Sequence, residues 1–322
     1  MAKARPGPKW RRRMKIVVVT VNYNSSHDLE SLYVSLTQAD WPCRWELIVV
    51  DNNSNPRQQD VLRQFEDDDK VEILWSPRNS GFGPAVNGAV AHASAEPEDL
   101  VWILNPDVEV RGDSVVRLAA ALGDFNVVSP LLIDDRSEKS IWFCGGYHNR
   151  RSAKVVHNYI GLPYEAWKSS QGSHPVALET TFMSGAAPMM TLQTWRTVGG
   201  FDESLFLYWE DAEWSDRAVA LGLTMAVIPE SIAVHREGAS SRTGASAGKS
   251  DTTYFYCARN RLLIQGSWAR RLKVLVLTGG LEGLRVATLI LLREDRRWVK
   301  FRAHVMGSWA GLLGRCGARH EC

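Results

Sequence analysis

Apolar and polar positions change period along the chain. Ile16–Val21 is a short β-branched run, which predicts a buried parallel strand. Polar Asn22–Ser26 follows. Leu29, Leu32, Tyr33 and Leu36 then recur at helical spacing, with Asp28 and Glu30 in a first turn where the helix dipole favours acids. Glu46–Val50 predicts a second strand ending at Asp51, Asp60–Phe65 a helix, Val71–Trp75 a third strand and Gly83–Ala93 a third helix. Leu100–Leu104 predicts a fourth strand, ending at Asn105-Pro106-Asp107. Repeated strand, loop and helix is the signature of an α/β fold with a mostly parallel, doubly wound sheet. From residue 127 the pattern shifts to short strands, glycines and aromatics. Thr191–Val198 and Glu210–Leu221 read as helices, and Thr224–Ile228 and Ile232–Val234 as strands. Gly238–Lys249 is rich in Gly, Ala and Ser and reads as mobile, while Thr252–Leu313 is basic, aromatic and largely helical in pattern.

The 322 residues suit one large or two modest domains, and 45% hydrophobic with 23% charged is an ordinary globular mix. The net charge of +2 hides an asymmetry. Residues 1–15 hold seven basic and no acidic residues, and residues 252–322 hold thirteen basic and four acidic. The stretch between, 16–251, is acidic. An acidic body with basic ends is not the footprint of a nucleic-acid binder, and it suits ends that meet an anionic surface. Cys43, Cys144, Cys257, Cys316 and Cys322 show no regular spacing, which predicts reduced thiols in a cytoplasmic protein. No secretory signal is read, because the apolar run after the basic start is too short. The longest apolar stretch, Leu272–Leu292, is broken by Lys273, Glu282 and Arg285, so no membrane span is expected.

Polar groups stand just after the strands: Asn22, Asp51, Asn79 and Asp107. Ligands of open α/β sheets bind at those carboxyl ends. An Asp such as Asp51 can accept the N3–H of a pyrimidine, and Tyr23 can stack on the base. Turn chemistry alone also favours these residue types. Asn79-Ser80-Gly81-Phe82-Gly83-Pro84-Ala85-Val86-Asn87-Gly88 opens a helix with a Gly-rich loop that can approach phosphate or ribose. It meets neither the dinucleotide fingerprint nor the P-loop pattern. Asp107 and Glu109 share a face if extended and can hold Mg²⁺ or Mn²⁺, and an exposed loop pair would look the same. Adjacent Glu210 and Asp211, at a helix start and flanked by aromatics, can supply a general base.

These residues, in this order, resemble the family 2 glycosyltransferases, and most closely their bacterial rhamnosyltransferase-like branch. The resemblance covers roughly residues 15–265. It rests on Val21-Asn22-Tyr23-Asn24-Ser25, Asp51-Asn52-Asn53-Ser54, Asn79-Ser80-Gly81-Phe82-Gly83, Asn105-Pro106-Asp107, Ser184-Gly185-Ala186, Gly199-Gly200-Phe201-Asp202, Trp209-Glu210-Asp211 and His235. It implies a GT-A fold over 15–250, with a nucleotide-binding half (15–125) and an acceptor-binding half (126–250). A flexible basic tail (1–14) precedes it, and a basic, helical C-terminal extension (251–322) follows.

The resemblance also implies roles. Val21, Tyr23 and Asp51 hold the base; Asn79, Gly81, Phe82 and Asn87 line the nucleotide pocket; Asn105 meets ribose or phosphate. Gly185 lets backbone approach the donor sugar, and Trp209 contacts sugar. Asp107 and His235, with Glu109 in support, hold a divalent metal, Mg²⁺ or Mn²⁺. Asn105 stands where the family's first metal-motif Asp is usual, which removes a charge. Asp211, with Glu210 beside it, is the base of an inverting single displacement. The implied donor is a nucleotide sugar, with dTDP-L-rhamnose favoured over UDP or GDP sugars. The implied acceptor is a bacterial polysaccharide or lipid-linked glycan. Trp268, Trp298 and Trp309, among Arg and Lys, predict peripheral contact with the cytoplasmic face of the inner membrane, or else a helical cap or homo-oligomer interface. A nucleotidyltransferase would need a basic Gly-rich loop after the first strand, and none is there. A non-catalytic glycan-binding or scaffolding relative would have no need of Asp107, Asp211 and His235.

Overall fold

The computed structural model describes residues 14–135, 139–171, 176–236 and 249–319. The basic tail and the mobile stretch expected at 238–249 lie almost wholly outside the described residues. The strands are β1 (Lys15–Asn22), β2 (Arg44–Asp51), β3 (Val71–Trp75), β4 (Leu100–Ile103), β5 (Val108–Val110), β6 (Val127–Ile133), β7 (Ile141–Phe143), β8 (Gly146–Asn149), β9 (Lys154–His157), β10 (Leu178–Thr180), β11 (Met189–Thr191) and β12 (Met225–His235). The helices are α1 (Ser26–Gln38), α2 (Pro56–Leu62), α3 (Phe82–His92), α4 (Ser114–Ala121), α5 (Tyr164–Ser170), α6 (Leu192–Val198), α7 (Glu210–Ala220), α8 (Asp251–Leu263), α9 (Trp268–Lys273), α10 (Gly279–Arg293) and α11 (Arg297–Leu313).

One sheet runs β10-β12-β6-β11-β4-β1-β2-β3, and β8–β9 form a separate hairpin. β3, β2, β1 and β4 are all parallel. Every residue of β1 is buried, as its Val and Ile run requires of a central parallel strand. Leu29, Leu32 and Leu36 of α1 are buried at helical spacing. Beyond β4 the sheet is mixed: β11 runs antiparallel to both β4 and β6, while β12 runs parallel to β6. The fold is thus α/β with a GT-A-like sheet, parallel throughout the first half.

Three expectations shift. The helix read at Asp60–Phe65 begins at Pro56, because Asn55 caps it by accepting the Gln58 N–H and Pro suits its first turn. Its last residues tighten into a 3₁₀ turn, Arg63–Phe65. The strands read at Thr224–Ile228 and Ile232–Val234 are one strand, β12, with a register shift at Ile228/Ile232. The Leu272–Leu292 helix is interrupted by a π-helical turn at Val274–Thr278.

The C-terminal extension is partly a cap. α8 packs on α11 so closely that a Cβ at Gly307 would lie 2.2 Å from the Phe255 carbonyl oxygen. Phe255, Tyr256, Ala303 and Ala310 form a small core of their own, against which Phe206, Leu207 and Tyr208 pack. No helix among the described residues is long and apolar enough to cross a membrane.

Candidate active site

β1 and β2 end in register, Asn22 opposite Asp51, so their polar residues meet at the carboxyl edge of the sheet. Asn22 Nδ2 donates to Asp51 Oδ1 at 3.0 Å. Asp51 Oδ2 accepts from the Ser54 N–H at 3.1 Å and from Gln59 Nε2 at 2.9 Å, and the residue is wholly buried. Asp51 thus organises the edge, with both of its oxygens engaged by protein donors. Tyr23 is exposed beside it. Val21 is a core residue.

The next residue, Asn52, builds the Gly-rich loop. Its Nδ2 donates to Asn79 Oδ1 and to the Gly81 carbonyl, each at 3.0 Å, and its Oδ1 accepts the Ser80 N–H at 3.0 Å. Gly81 has φ +94, and a Cβ there would lie 2.2 Å from the Phe206 carbonyl oxygen, so glycine is required twice over. The Phe82 N–H donates to that same oxygen at 2.7 Å. Asn87 does not reach this edge. Its amide accepts the Phe201 N–H at 2.8 Å and donates to the Phe201 carbonyl at 2.9 Å, so it clamps α3 to the loop before α7.

β5 pairs with β12, placing His235 opposite Val108 and bringing distant Asp107 beside it. Asp107 Oδ1 lies 3.3 Å from His235 Nε2. Both His235 ring nitrogens are buried without a hydrogen-bond partner, and the Trp142 ring lies against the imidazole, tilted by 40° with centroids 4.1 Å apart. A carboxylate beside a buried imidazole nitrogen that nothing satisfies fits a divalent cation. Glu109 does not join them: its carboxylate pairs with Arg236 at 2.5 Å. Among the described residues no group of three or more His, Cys, Asp or Glu gathers to hold a metal. Two protein ligands suit an ion that keeps waters and takes substrate phosphates. Asn105 is half-buried on the approach to Asp107, its N–H donating to the Ala186 carbonyl at 2.9 Å.

Glu210 and Asp211 open α7. Asp211 Oδ2 accepts the Gly185 N–H at 3.3 Å, and Oδ1 accepts the Ala212 N–H at 2.8 Å. A Cβ on Gly185 would lie 3.6 Å from Asp211 Cβ and 3.6 Å from the Phe82 ring. Phe82 of the donor loop, Gly185 and Asp211 therefore line one place. Burial raises both carboxyls. Glu210 is deeply buried, one of its oxygens has no partner, and the Asp211 charge pushes it further up. Backbone N–H groups and the charge of His148 pull Asp211 back. Both carboxyls are thus pushed toward their neutral forms, and only Asp211 is offered a backbone N–H donor by a neighbouring segment. Trp209, half-buried, precedes them, and Trp214 is core.

The segment leading to Asp211 is strained. Phe206, Tyr208 and Trp209 all have positive φ, at 63°, 67° and 75°. Residues of α8 hold it. Asn260 Nδ2 donates to the carbonyls of Leu205, Leu207 and Tyr208, each at 2.8 Å. Arg259, with no exposed surface, donates to the Leu205 carbonyl at 2.7 Å. Sequence reasoning assigned no role to Asn52, Gln59, Trp142, His148 or Asn260. Asn52 had a local signal, its place within the Asp-Asn-Asn-Ser run, and Asn260 lies in Tyr254–Arg261, a run that resembles a segment after the catalytic core of this branch.

Comparison with known proteins agrees. Residues 17–161 match the family model for glycosyl transferase family 2. A dTDP-rhamnosyl transferase of Shigella flexneri is 24% identical over 311 residues, 94% of this chain and 97% of that protein. An N-acetylglucosaminyl-diphospho-decaprenol L-rhamnosyltransferase of Mycobacterium tuberculosis is 26% identical over 263 residues, 75% of this chain and 83% of that one. The structure of GalNAc-T7 with UDP, GalNAc and Mn²⁺ superposes with a TM-score of 0.59 at 15% identity, covering 78% of this chain and 47% of that chain. At that identity it shows the shared GT-A fold. Sheet, motif order and relatives together make this chain a glycosyltransferase, with a family 2 match over residues 17–161 and similarity to rhamnosyltransferases.

Proposed function

We propose that the chain transfers L-rhamnose from dTDP-L-rhamnose to a hydroxyl of a lipid-linked or polymeric bacterial glycan, inverting the anomeric centre. The observation that carries this is the meeting of Phe82, Gly185 and Asp211 at the edge where β1 and β2 end. An acceptor hydroxyl seated there loses its proton to Asp211 as its oxygen bonds to the anomeric carbon. The bond from that carbon to the diphosphate oxygen breaks, and its electron pair leaves with the diphosphate. A general base so placed contributes roughly 10²–10⁴-fold. Asp107 and His235 would hold Mg²⁺ or Mn²⁺, which when bound stabilises the departing diphosphate as a Lewis acid. Tyr23 stacks on the pyrimidine, and Gln59 gives way if Asp51 is to accept its N3–H.

The donor is tested by thermal shift with dTDP-L-rhamnose, UDP-glucose and GDP-mannose, each with and without Mn²⁺. Ligands that bind the native state raise its apparent stability. A Mn²⁺-dependent rise with dTDP-L-rhamnose alone is expected. A larger rise with either other donor would overturn the rhamnose assignment. His235→Ala should abolish the Mn²⁺ dependence.

The same reading places the outer faces of α10 and α11 on an anionic membrane surface. Leu292, Trp298 and Trp309 are exposed there, beside a groove of about 420 Å³ lined by Leu284, Ala287, Val305 and Trp309. Arg293, Arg296, Arg297 and Arg302 supply complementary charge. Co-flotation with anionic vesicles that fails in high salt is expected, and no flotation at low salt would remove this contact.

A further inference from the structure

α11 lies so close along α8 that a Cβ at Gly311 would stand 2.4 Å from the Arg259 carbonyl oxygen. Gly314, with φ +75, ends α11. The residues just past it reach the strained turn before α7. The Gly317 N–H donates to the Ser204 carbonyl at 2.9 Å, and the Gly317 carbonyl accepts from Arg259 Nη1 at 2.6 Å. Ala318 is buried. The Arg319 N–H donates to the Tyr256 hydroxyl at 2.8 Å. The Arg319 guanidinium pairs with Asp251 at 2.9 Å and lies over the Phe255 ring at 5.0 Å. Nothing in the transfer chemistry above uses Gly317, Ala318 or Arg319.

We propose that Gly317–Arg319 is a strap that holds the Ser204–Trp209 turn in the shape that presents Asp211, with Arg259 and Tyr256 as the positioning residues that pass on its grip. Its bearing on turnover rests on the reading of Asp211 as the base. Positive φ at Phe206, Tyr208 and Trp209 persists only where the surroundings over-determine it. Trp209, which opens α7, makes no side-chain cap, so the turn is shaped from outside. Arg259 does this in three ways. Its Nη2 donates to the Leu205 carbonyl at 2.7 Å, and its Nη1 is anchored on Gly317. Its Nε donates to Asn260 Oδ1 at 2.8 Å, which turns the Asn260 Nδ2 toward the carbonyls of Leu205, Leu207 and Tyr208. A buried guanidinium is tolerated where acceptors meet it, and the strap supplies one of them. Tyr256, whose hydroxyl meets Arg319, stacks on the Phe206 ring at 4.9 Å and 22°. The Phe206 carbonyl in turn accepts the Phe82 N–H of the donor loop. The strap therefore grips both ends of the turn: Ser204 and Leu205 at its start, and through Asn260 the carbonyl of Tyr208.

The test is amide hydrogen exchange, read by mass spectrometry on the full chain and on Gly317→Pro. Proline removes the N–H that Ser204 accepts and forbids the φ of +84 at this position. Exchange across residues 204–212 should quicken about tenfold, while β1 and β2 keep their rates, because the opening is local. The same variant is assayed as dTDP release from dTDP-L-rhamnose with a polyprenyl-diphosphate-linked GlcNAc acceptor. Its kcat should fall about tenfold, since a slightly misplaced base is costly, with dTDP affinity within about twofold. Arg319→Ala, which removes the Asp251 pair and the contact over Phe255, should move both readouts the same way by less. It decides the matter if Gly317→Pro does not fold. Unchanged exchange over 204–212 in both variants would overturn the proposal. So would quickening spread equally over β1 and β2, or a turn that opens with kcat unmoved. If Asp211→Asn keeps near-normal turnover, the base assignment itself has failed. Exchange still reads the strap in that case, so the two failures are distinct.

Discussion

The two walls of the site are held in opposite ways. The donor wall is made by residues at or next to strand ends, tied by short side chains: Asn22 to Asp51, and Asn52 to Asn79, Ser80 and Gly81. Its positive φ values fall on Gly81, Asn24 and Asn53, residue types that tolerate them. The base wall puts positive φ on Phe206, Tyr208 and Trp209, where side chains resist it. It keeps that shape because Asn260 and Arg259, far along the chain, collect its carbonyls. The Gly-rich loop draws its bonds chiefly from Asn52, at the end of the neighbouring strand β2. A strained loop needs a partner, and here the C-terminal cap is the partner. The walls are tied by the bond from the Phe82 N–H to the Phe206 carbonyl and by the Asn87 clamp on Phe201.

The comparison can be broken in order of effect. Asp211→Asn should lower kcat by roughly 10²–10⁴-fold while dTDP affinity, measured calorimetrically, stays within about threefold. Near-normal turnover would leave the base wall without its chemistry. Asn260→Ala should come next. It strips the Leu205, Leu207 and Tyr208 carbonyls of their shared donor, and lost buried hydrogen bonds of this kind cost about 2–4 kcal/mol in all. Urea denaturation would read the stability, and kcat should fall more than dTDP affinity. Equal losses in both would mean that the walls are one unit. Asn52→Ala should act smallest and on the other wall: dTDP binding weakens about tenfold, or about 1.4 kcal/mol, and KM for donor rises more than kcat falls. A variant that bound dTDP normally would show that the loop does not depend on Asn52.

Much of the first wall is legible in the chain. β1 and β2 announce themselves as β-branched runs, and the residues that follow them are the ones that meet at the sheet edge. The start of α2 is signalled by Asn55 and Pro56, and a reading from apolar spacing alone misses it. β12 reads as two strands because Pro229 and Glu230 look like a turn, whereas the sheet carries through them with a shifted register. The contact of His148 with Asp216 is invisible in the sequence: a lone histidine in a hairpin has no local pattern, and 68 residues separate the two. Glu109 and Asn87 carry the right chemistry in the right motif, yet Arg236 and the Phe201 backbone claim them.

The sequence by itself determined which segments are strands and helices, where polar residues stand at strand ends, and which family the motif order resembles. Those properties follow from burial periodicity and turn chemistry, which act over a few neighbouring residues. Only the tertiary structure decided that Asp107 meets His235, that burial raises both Glu210 and Asp211, and that α8 holds the strained turn. Charge state and strain depend on burial and on partners from distant segments, so neighbours in sequence do not fix them.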